Sequence, residues 1–221
     1  MDMALGITED ESQTKGSIIT RWSGVVATAC AFGALFLVFW FTPMTNTTDA
    51  AQELSSFYND EGKRLSLLIA EPLALIATAG FVLVFGRLAR HLTAEGEERA
   101  ASIVAAGGIT FTALFLVAMV AHTVIAGTLA FTKAFTFDPD LAMVLSHFGY
   151  VTMVGAAAGA GVVAGTVGTA MRRGSIGSHR LGTFGCVVAA LAVLSLFFVY
   201  LPLVVFLVWC LMVSRHLRND T

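Results

Sequence analysis

The chain has 221 residues, 57% of them hydrophobic and only 13% charged, with a formal net charge of −2 and a mean hydropathy of +0.80. Soluble domains carry about a quarter charged residues, so this much apolar surface excludes a water-exposed globule and calls for a bilayer. The near-neutral balance argues against a nucleic-acid partner, which would want a basic face, and the sequence holds no zinc-type cysteine spacing, phosphate-binding loop or dinucleotide fingerprint.

The first 17 residues are polar and acidic. They lack the basic segment, short apolar core and small-residue cleavage site of a secretory signal, so they read as a cytoplasmic tail ahead of a retained membrane helix. A spanning helix needs about 20 predominantly apolar residues. The first candidate runs from Ile18 to Thr42, with Trp22 and Trp40 near its ends, where aromatic side chains favour the membrane interface. The second, third and fourth run from Leu65 to Leu88, Ile103 to Phe131 and Leu141 to Met171.

The last apolar block, Leu181 to Val213, is ambiguous. As one helix it would be about 50 Å long, against a hydrocarbon core of about 30 Å. Pro202 is poor inside a helix and good at its start. The block therefore splits into Leu181 to Phe198 and Leu201 to Leu217 with a tight turn between, or it forms one long kinked helix. No Asn, Asp or Gly marks the turn.

Charge decides between them. Positive residues gather on the cytoplasmic side. With the N-terminus inside and six spans, ten of the 13 Lys and Arg residues lie inside; with five spans, eight do. The predicted fold is thus all-α: a polytopic membrane helical bundle of six transmembrane helices (five if the last block is one kinked helix), with both termini cytoplasmic. Residues 18–217 form a single transmembrane domain, flanked by the tails 1–17 and 218–221. The acidic first outer loop has room for a surface helix near Ala50 to Tyr58 and carries Asn46-Thr47-Thr48, a glycosylation pattern that matters only in a eukaryotic secretory pathway. The loop from Arg90 to Arg99 reads as a solvated connector.

The fourth span contains the pairs Gly155/Gly159 and Gly161/Gly165. Small residues at this spacing let helix backbones approach closely, so this helix is packed on one face or two. Gly107, Gly108 and Gly127 of the third span read the same way. Cys30, Cys186 and Cys210 lie in apolar stretches without pairing motifs and read as small apolar filler.

Three ionisable side chains lie deep in the apolar stretches: Glu71, His122 and His147. On the predicted topology they fall at similar depths of about 9, 15 and 9 Å below the outer helix ends. Titratable groups in a bilayer are costly, which makes this set the candidate site. Pro72 beside Glu71 frees a backbone carbonyl, Ala118 and Ala126 flank His122 at helical spacing, and Tyr150 falls on the face of His147. Thr123 and Ser146 are nearby polar groups. Four readings compete. Glu71 and one histidine can form a hydrogen-bonded pair that fixes helix packing. The three with Tyr150 can form a proton relay for an ion or small solute, although no inverted repeat of a carrier is visible. Two imidazoles and a carboxylate suit zinc or non-haem iron. Haem held between His122 and His147 is the fourth. His91, His179 and His216 fall in loops or at the inner surface.

The short polar N-terminus, the acidic first outer loop, the Glu71-Pro72 entry to the second span and the terminal FVYLPLVVFLVWCLMVSRHLR, in which Pro202 precedes Trp209, together resemble an uncharacterised bacterial family of small six-helix membrane proteins. That resemblance covers most of the chain and implies architecture without a defined activity. The function expected is that of a small non-enzymatic component of the bacterial plasma membrane, surrounded by lipid, acting in a complex with a membrane protein or a second copy of itself, or handling a small solute or protons. The alternative is a metal- or haem-binding oxidoreductase or hydrolase using Glu71, His122 and His147. No cofactor is assigned.

Overall fold

The computed structural model describes residues 6–42, 49–132 and 136–219, without the side chains of residues 6–21, 41 and 217–219. It is all-α, as the hydropathy pattern requires. The helices are α1 (Gly6–Phe41), α2 (Ala50–Asn59), α3 (Glu61–Ala94), α4 (Glu98–Phe131), α5 (Pro139–Arg173), α6 (His179–Val193) and α7 (Tyr200–Asn219). α2 is the surface helix expected near Ala50 to Tyr58; 'outer' denotes its end of the bundle and 'inner' the opposite end. The glycosylation pattern lies outside the described residues. Most of the segment assigned to the polar tail is helical, since α1 extends back to Gly6.

Local chemistry fixes several helix ends. Asp60 Oδ1 accepts hydrogen bonds from the backbone N–H of Gly62 (2.9 Å) and Lys63 (3.2 Å), so α3 starts four residues before its first apolar residue. Asp138 caps α5 in the same way through Asp140 and Leu141, ahead of Pro139 in the first turn, where a missing N–H has no helical partner to lose. Gly174 ends α5 in the left-handed conformation at φ 83°.

The helices close into a ring: α1 packs on α3, α3 on α4, α4 on α5, α5 on α6, α6 on α7, and α7 back on α1. An aromatic core formed by Phe81 and Phe85 of α3, Phe111 and Phe115 of α4, and Phe206 and Trp209 of α7 fills the middle. The glycines of α5 serve two faces. Gly155 and Gly159 sit against α4, at Leu114 and the backbone of Phe111; Gly161, Gly165 and Gly168 sit against α6. Gly107 and Gly108 face α5 and Phe85 of α3, whereas at Gly127 no atom of the described residues lies within 4 Å of the place of a Cβ.

The last apolar block is a hairpin, and the single kinked helix is not formed. α6 tightens into a 3-10 turn at Leu194–Leu196, the chain reverses, and α7 runs back so that His216 lies beside Gly177. Trp209 Nε1 donates to the Leu181 carbonyl at 3.3 Å and ties the two helices together. The reversal needs no glycine. Leu194 and Phe197 stay in the right-handed region, and the N–H groups of Phe197 and Phe198 both bond the Leu194 carbonyl at 3.0 Å. Pro202 lies in the first turn of α7, where its missing N–H is tolerated.

Among the described residues, five helical segments are long and apolar enough to cross a membrane: Trp22–Trp40, Glu61–Ala94, Glu98–Phe131, Pro139–Arg173 and His179–Leu196. The apolar part of α7, Tyr200–His216, is shorter. This is the build of an integral membrane protein.

Candidate functional site

α3, α4 and α5 are each about 50 Å long. α1, the α6–α7 hairpin and α7 itself end lower. Phe39, in the last turn of α1, lies against Tyr200, the first residue of α7. Tyr200 meets Tyr150 of α5 edge-on at 6.4 Å between ring centroids, and Phe39 meets the His122 imidazole of α4 edge-on at 6.0 Å. Four helices thus meet in one knot of rings. It sits about 15 Å below the outer ends of α4 and α5, so those helices and α3 rise above it as a step. α2 packs across the raised part, on α3 and α5. There Tyr58 contacts Phe57 and Phe137, and burial pushes its phenol pKa up to about 12.

His122 is the one predicted site residue that is fully enclosed, with 6% of its surface exposed. Room for its ring comes from Gly149 of α5: a Cβ there would stand 2.7 Å from Nε2. Among the described residues Nε2 has no hydrogen-bond partner, although buried ring nitrogens generally have one. Thr123 beside it is spent locally, on the Val120 carbonyl at 3.4 Å.

The other predicted residues do not join it. Tyr150 is half-buried and enters the same knot through Tyr200. Glu71 lies at the same level on α3 but on a half-buried flank beside the exposed Pro72, with no hydrogen bond or ion pair to the described residues. α3 passes through Pro72 without breaking. His147 is exposed, and its Nδ1 lies 2.9 Å from the Met143 carbonyl of its own helix. The reason is the step. His147 continues the stripe of Gly168 and Gly161, which further in faces α6; the hairpin stops at the level of Tyr200, so the stripe emerges uncovered. Among the described residues, no group of three or more His, Cys, Asp or Glu side chains is placed to hold a metal ion. Glu71, His122 and His147 are therefore not brought together as a ligand set.

Sequence reasoning missed Phe39, Gly149 and Tyr200. Phe39 and Tyr200 carried a usable signal, since each lies at the end of an apolar block where aromatic residues gather. Gly149 carried none, because nothing in a sequence marks which glycine faces which ring. Also outside the expected site is a groove of about 500 Å³ between the inner ends of α4 and α5, lined by Glu97, Arg99, Ile103, Thr166, Thr169 and Arg173 among others.

No protein-family model matches the chain, and no curated protein or solved structure is significantly similar to it.

Proposed function

We propose that the chain is a six-span integral protein of the bacterial plasma membrane, with both termini cytoplasmic. In this reading it serves as a non-enzymatic accessory component, and the His122 knot locks its helices at the outer membrane boundary. The observation that carries this is the enclosure of the His122 ring of α4 against Gly149 of α5 and Phe39 of α1, beside the Tyr150–Tyr200 pair that joins α5 to α7. An imidazole held this way acts as an interhelical wedge.

The depth of the knot supports the assignment. On α1, α3, α4, α5 and α7 the stretches Trp22 to Trp40, Glu71 to Arg87, Arg99 to His122, Tyr150 to Arg172 and Tyr200 to Arg215 span roughly 22 to 35 Å, close to the hydrocarbon thickness. One rim is then rich in arginine, as a cytoplasmic rim is; the other carries the aromatic knot. The hairpin tip, with Phe197 73% and Phe198 67% exposed, lies at this second rim. A turn without a polar residue suits that place. The titratable groups thus sit at the boundary and less deep than helix ends alone imply, because α3, α4 and α5 project beyond it. A bacterial membrane accords with the resemblance noted above.

A second reading, proton or small-solute handling, is favoured by the unpartnered Nε2. Proteoliposomes loaded with a pH-sensitive dye separate the two. The accessory role expects wild-type vesicles to hold a pH gradient as long as protein-free ones, and His122→Phe, which keeps a ring in the wedge, to melt near the wild-type temperature in detergent. A leak present in wild type and lost in His122→Phe would replace the first reading with the second.

A further inference from the structure

We propose that the groove between α4 and α5 is a binding site for the headgroup of an anionic phospholipid, with the phosphodiester between Arg99 and Arg173. The inference rests on the membrane reading above and concerns the opposite end of the molecule from the His122 knot.

Three observations carry it. The groove is a space of about 500 Å³ in the flank of the bundle, bounded by Arg99, Ala100 and Ile103 of α4 and by Gly165, Thr166, Thr169, Ala170 and Arg173 of α5. That volume is in the range of ligand pockets. Its charge balance is the second. Arg99 and Arg173 are both exposed and make no ion pair with a described residue. The one carboxylate in the lining, Glu97, accepts a hydrogen bond from the Ser175 hydroxyl at 2.8 Å. Two guanidinium groups and one carboxylate leave a single positive charge, which a phosphodiester monoanion matches, and guanidinium presents paired donors to phosphate.

The third is the order of polarity along the groove. Arg173 ends α5; Thr169 lies about 6 Å deeper along the helix and Thr166 about 10 Å deeper. Ile103 lies about 6 Å inward of Arg99 on α4. Charge, a small polar zone (the Thr169 hydroxyl itself donates to the Gly165 carbonyl at 2.6 Å) and an apolar wall follow one another in the sequence of a phospholipid's phosphate, glycerol ester and acyl chain. A soluble phosphate would use the first of these zones and gain nothing from the others. Basic pockets between transmembrane helices on the cytoplasmic side suit anionic headgroups on general electrostatic grounds.

The test uses the full chain purified in a neutral detergent, with native mass spectrometry and melting temperature as readouts. Phosphatidylglycerol, phosphatidylcholine and free glycerol phosphate are the probes. Wild type is expected to retain phosphatidylglycerol at least tenfold better than phosphatidylcholine and to melt higher in its presence, since a ligand that binds the folded state stabilises it. The double variant Arg99→Gln, Arg173→Gln is expected to lose that preference. Thr169→Trp, at an exposed position that fills the groove without touching charge, is expected to lose it too, which keeps the test meaningful if the double variant folds poorly. Arg64→Gln, at the other end of the bundle, is expected to retain it. Equal retention of both lipids by wild type, or an undiminished preference in Thr169→Trp, would overturn the site. Stabilisation by glycerol phosphate alone would overturn the lipid as occupant. None of these outcomes depends on whether His122 is a wedge or a proton carrier.

Discussion

The two halves of the α4–α5–α6 layer are held together by different means. In the inner half, backbone lies on backbone: Gly168 of α5 faces the carbonyl of Gly182 and the N–H of Cys186 on α6, and Gly185 faces the carbonyl of Ala164. In the outer half a side chain fills the gap, with the His122 ring seated on Gly149. The inner contact has one geometry and no slack, since peptide groups cannot rotate away. The outer contact has a rotatable imidazole with an unpartnered nitrogen. In lipid, where apolar side chains gain little by leaving their solvent, close backbone approach is the principal source of helix adhesion. The inner half therefore sets the fold, and the outer half is where adjustment is available.

Gly168→Ala is expected to have the largest effect. The added Cβ would stand 2.7 Å from the Gly182 oxygen and 2.9 Å from the Cys186 nitrogen, so α5 and α6 must separate. The expected cost is about 3 kcal/mol, read as a lower melting temperature in detergent. A variant that melts with wild type would show that the inner contact has slack after all, and the contrast between the halves would fall.

The raised outer end has a packed element of its own, and pH reaches it. Burial lifts the Tyr58 phenol from 10.0 to about 12. The folded state thus holds the proton more tightly than the unfolded chain. The stabilisation is fully present below pH 10 and disappears as pH rises through about 12. A two-unit shift corresponds to about 2.7 kcal/mol. Tyrosinate absorbance should show one phenol titrating late, and α2 should loosen in amide exchange over the same interval. In Tyr58→Phe that pH dependence should vanish. If it survives, α2 is held by something other than this contact.

A smaller effect is expected from Gly149→Ala. Its Cβ would meet the His122 ring at 2.7 to 3.1 Å, but a ring can turn where a peptide cannot. We expect a loss of about 1 kcal/mol, and we expect it to be relieved when His122→Ala is combined with it, because the two positions share one space. Additive losses in the double variant would mean that the ring and the glycine do not contend for that space.

Much of this architecture was legible in the sequence, and the failures have physical causes. The apolar blocks gave the helices; the proline allowed the hairpin, and the balance of positive charge chose it over the kinked helix. The missing turn residues were no obstacle, since a 3-10 reversal in right-handed conformations requires no positive φ. The Gly pairs of α5 predicted packing on up to two faces, and two faces are packed. The site was only partly legible. Similar depth placed Glu71, His122 and His147 near one level, but depth says nothing about direction around a helix. His147 followed the right stripe and still came out exposed, because the partner helices stop short. Where a neighbouring helix ends is a tertiary fact that the spacing of residues on α5 cannot contain.

Gly127 supplies the smallest expected effect and the control for the rest. It lies in α4, five residues beyond His122, in the same apolar stretch as Gly107 and Gly108, and by sequence all three look alike. Gly107 and Gly108 face α5 and α3 closely; at Gly127 an added Cβ would meet nothing within 4 Å. Glycine inside a helix is costly through the freedom it gives the unfolded chain. Gly127→Ala should therefore stabilise the protein by about 0.5 kcal/mol, visible as a small rise in melting temperature, while Gly108→Ala, whose Cβ would press on the Phe85 ring at 2.7 Å, should lower it. Should both alanines act in the same direction, close approach would not be what distinguishes the glycines of this bundle, and the reading of its inner half would need another basis.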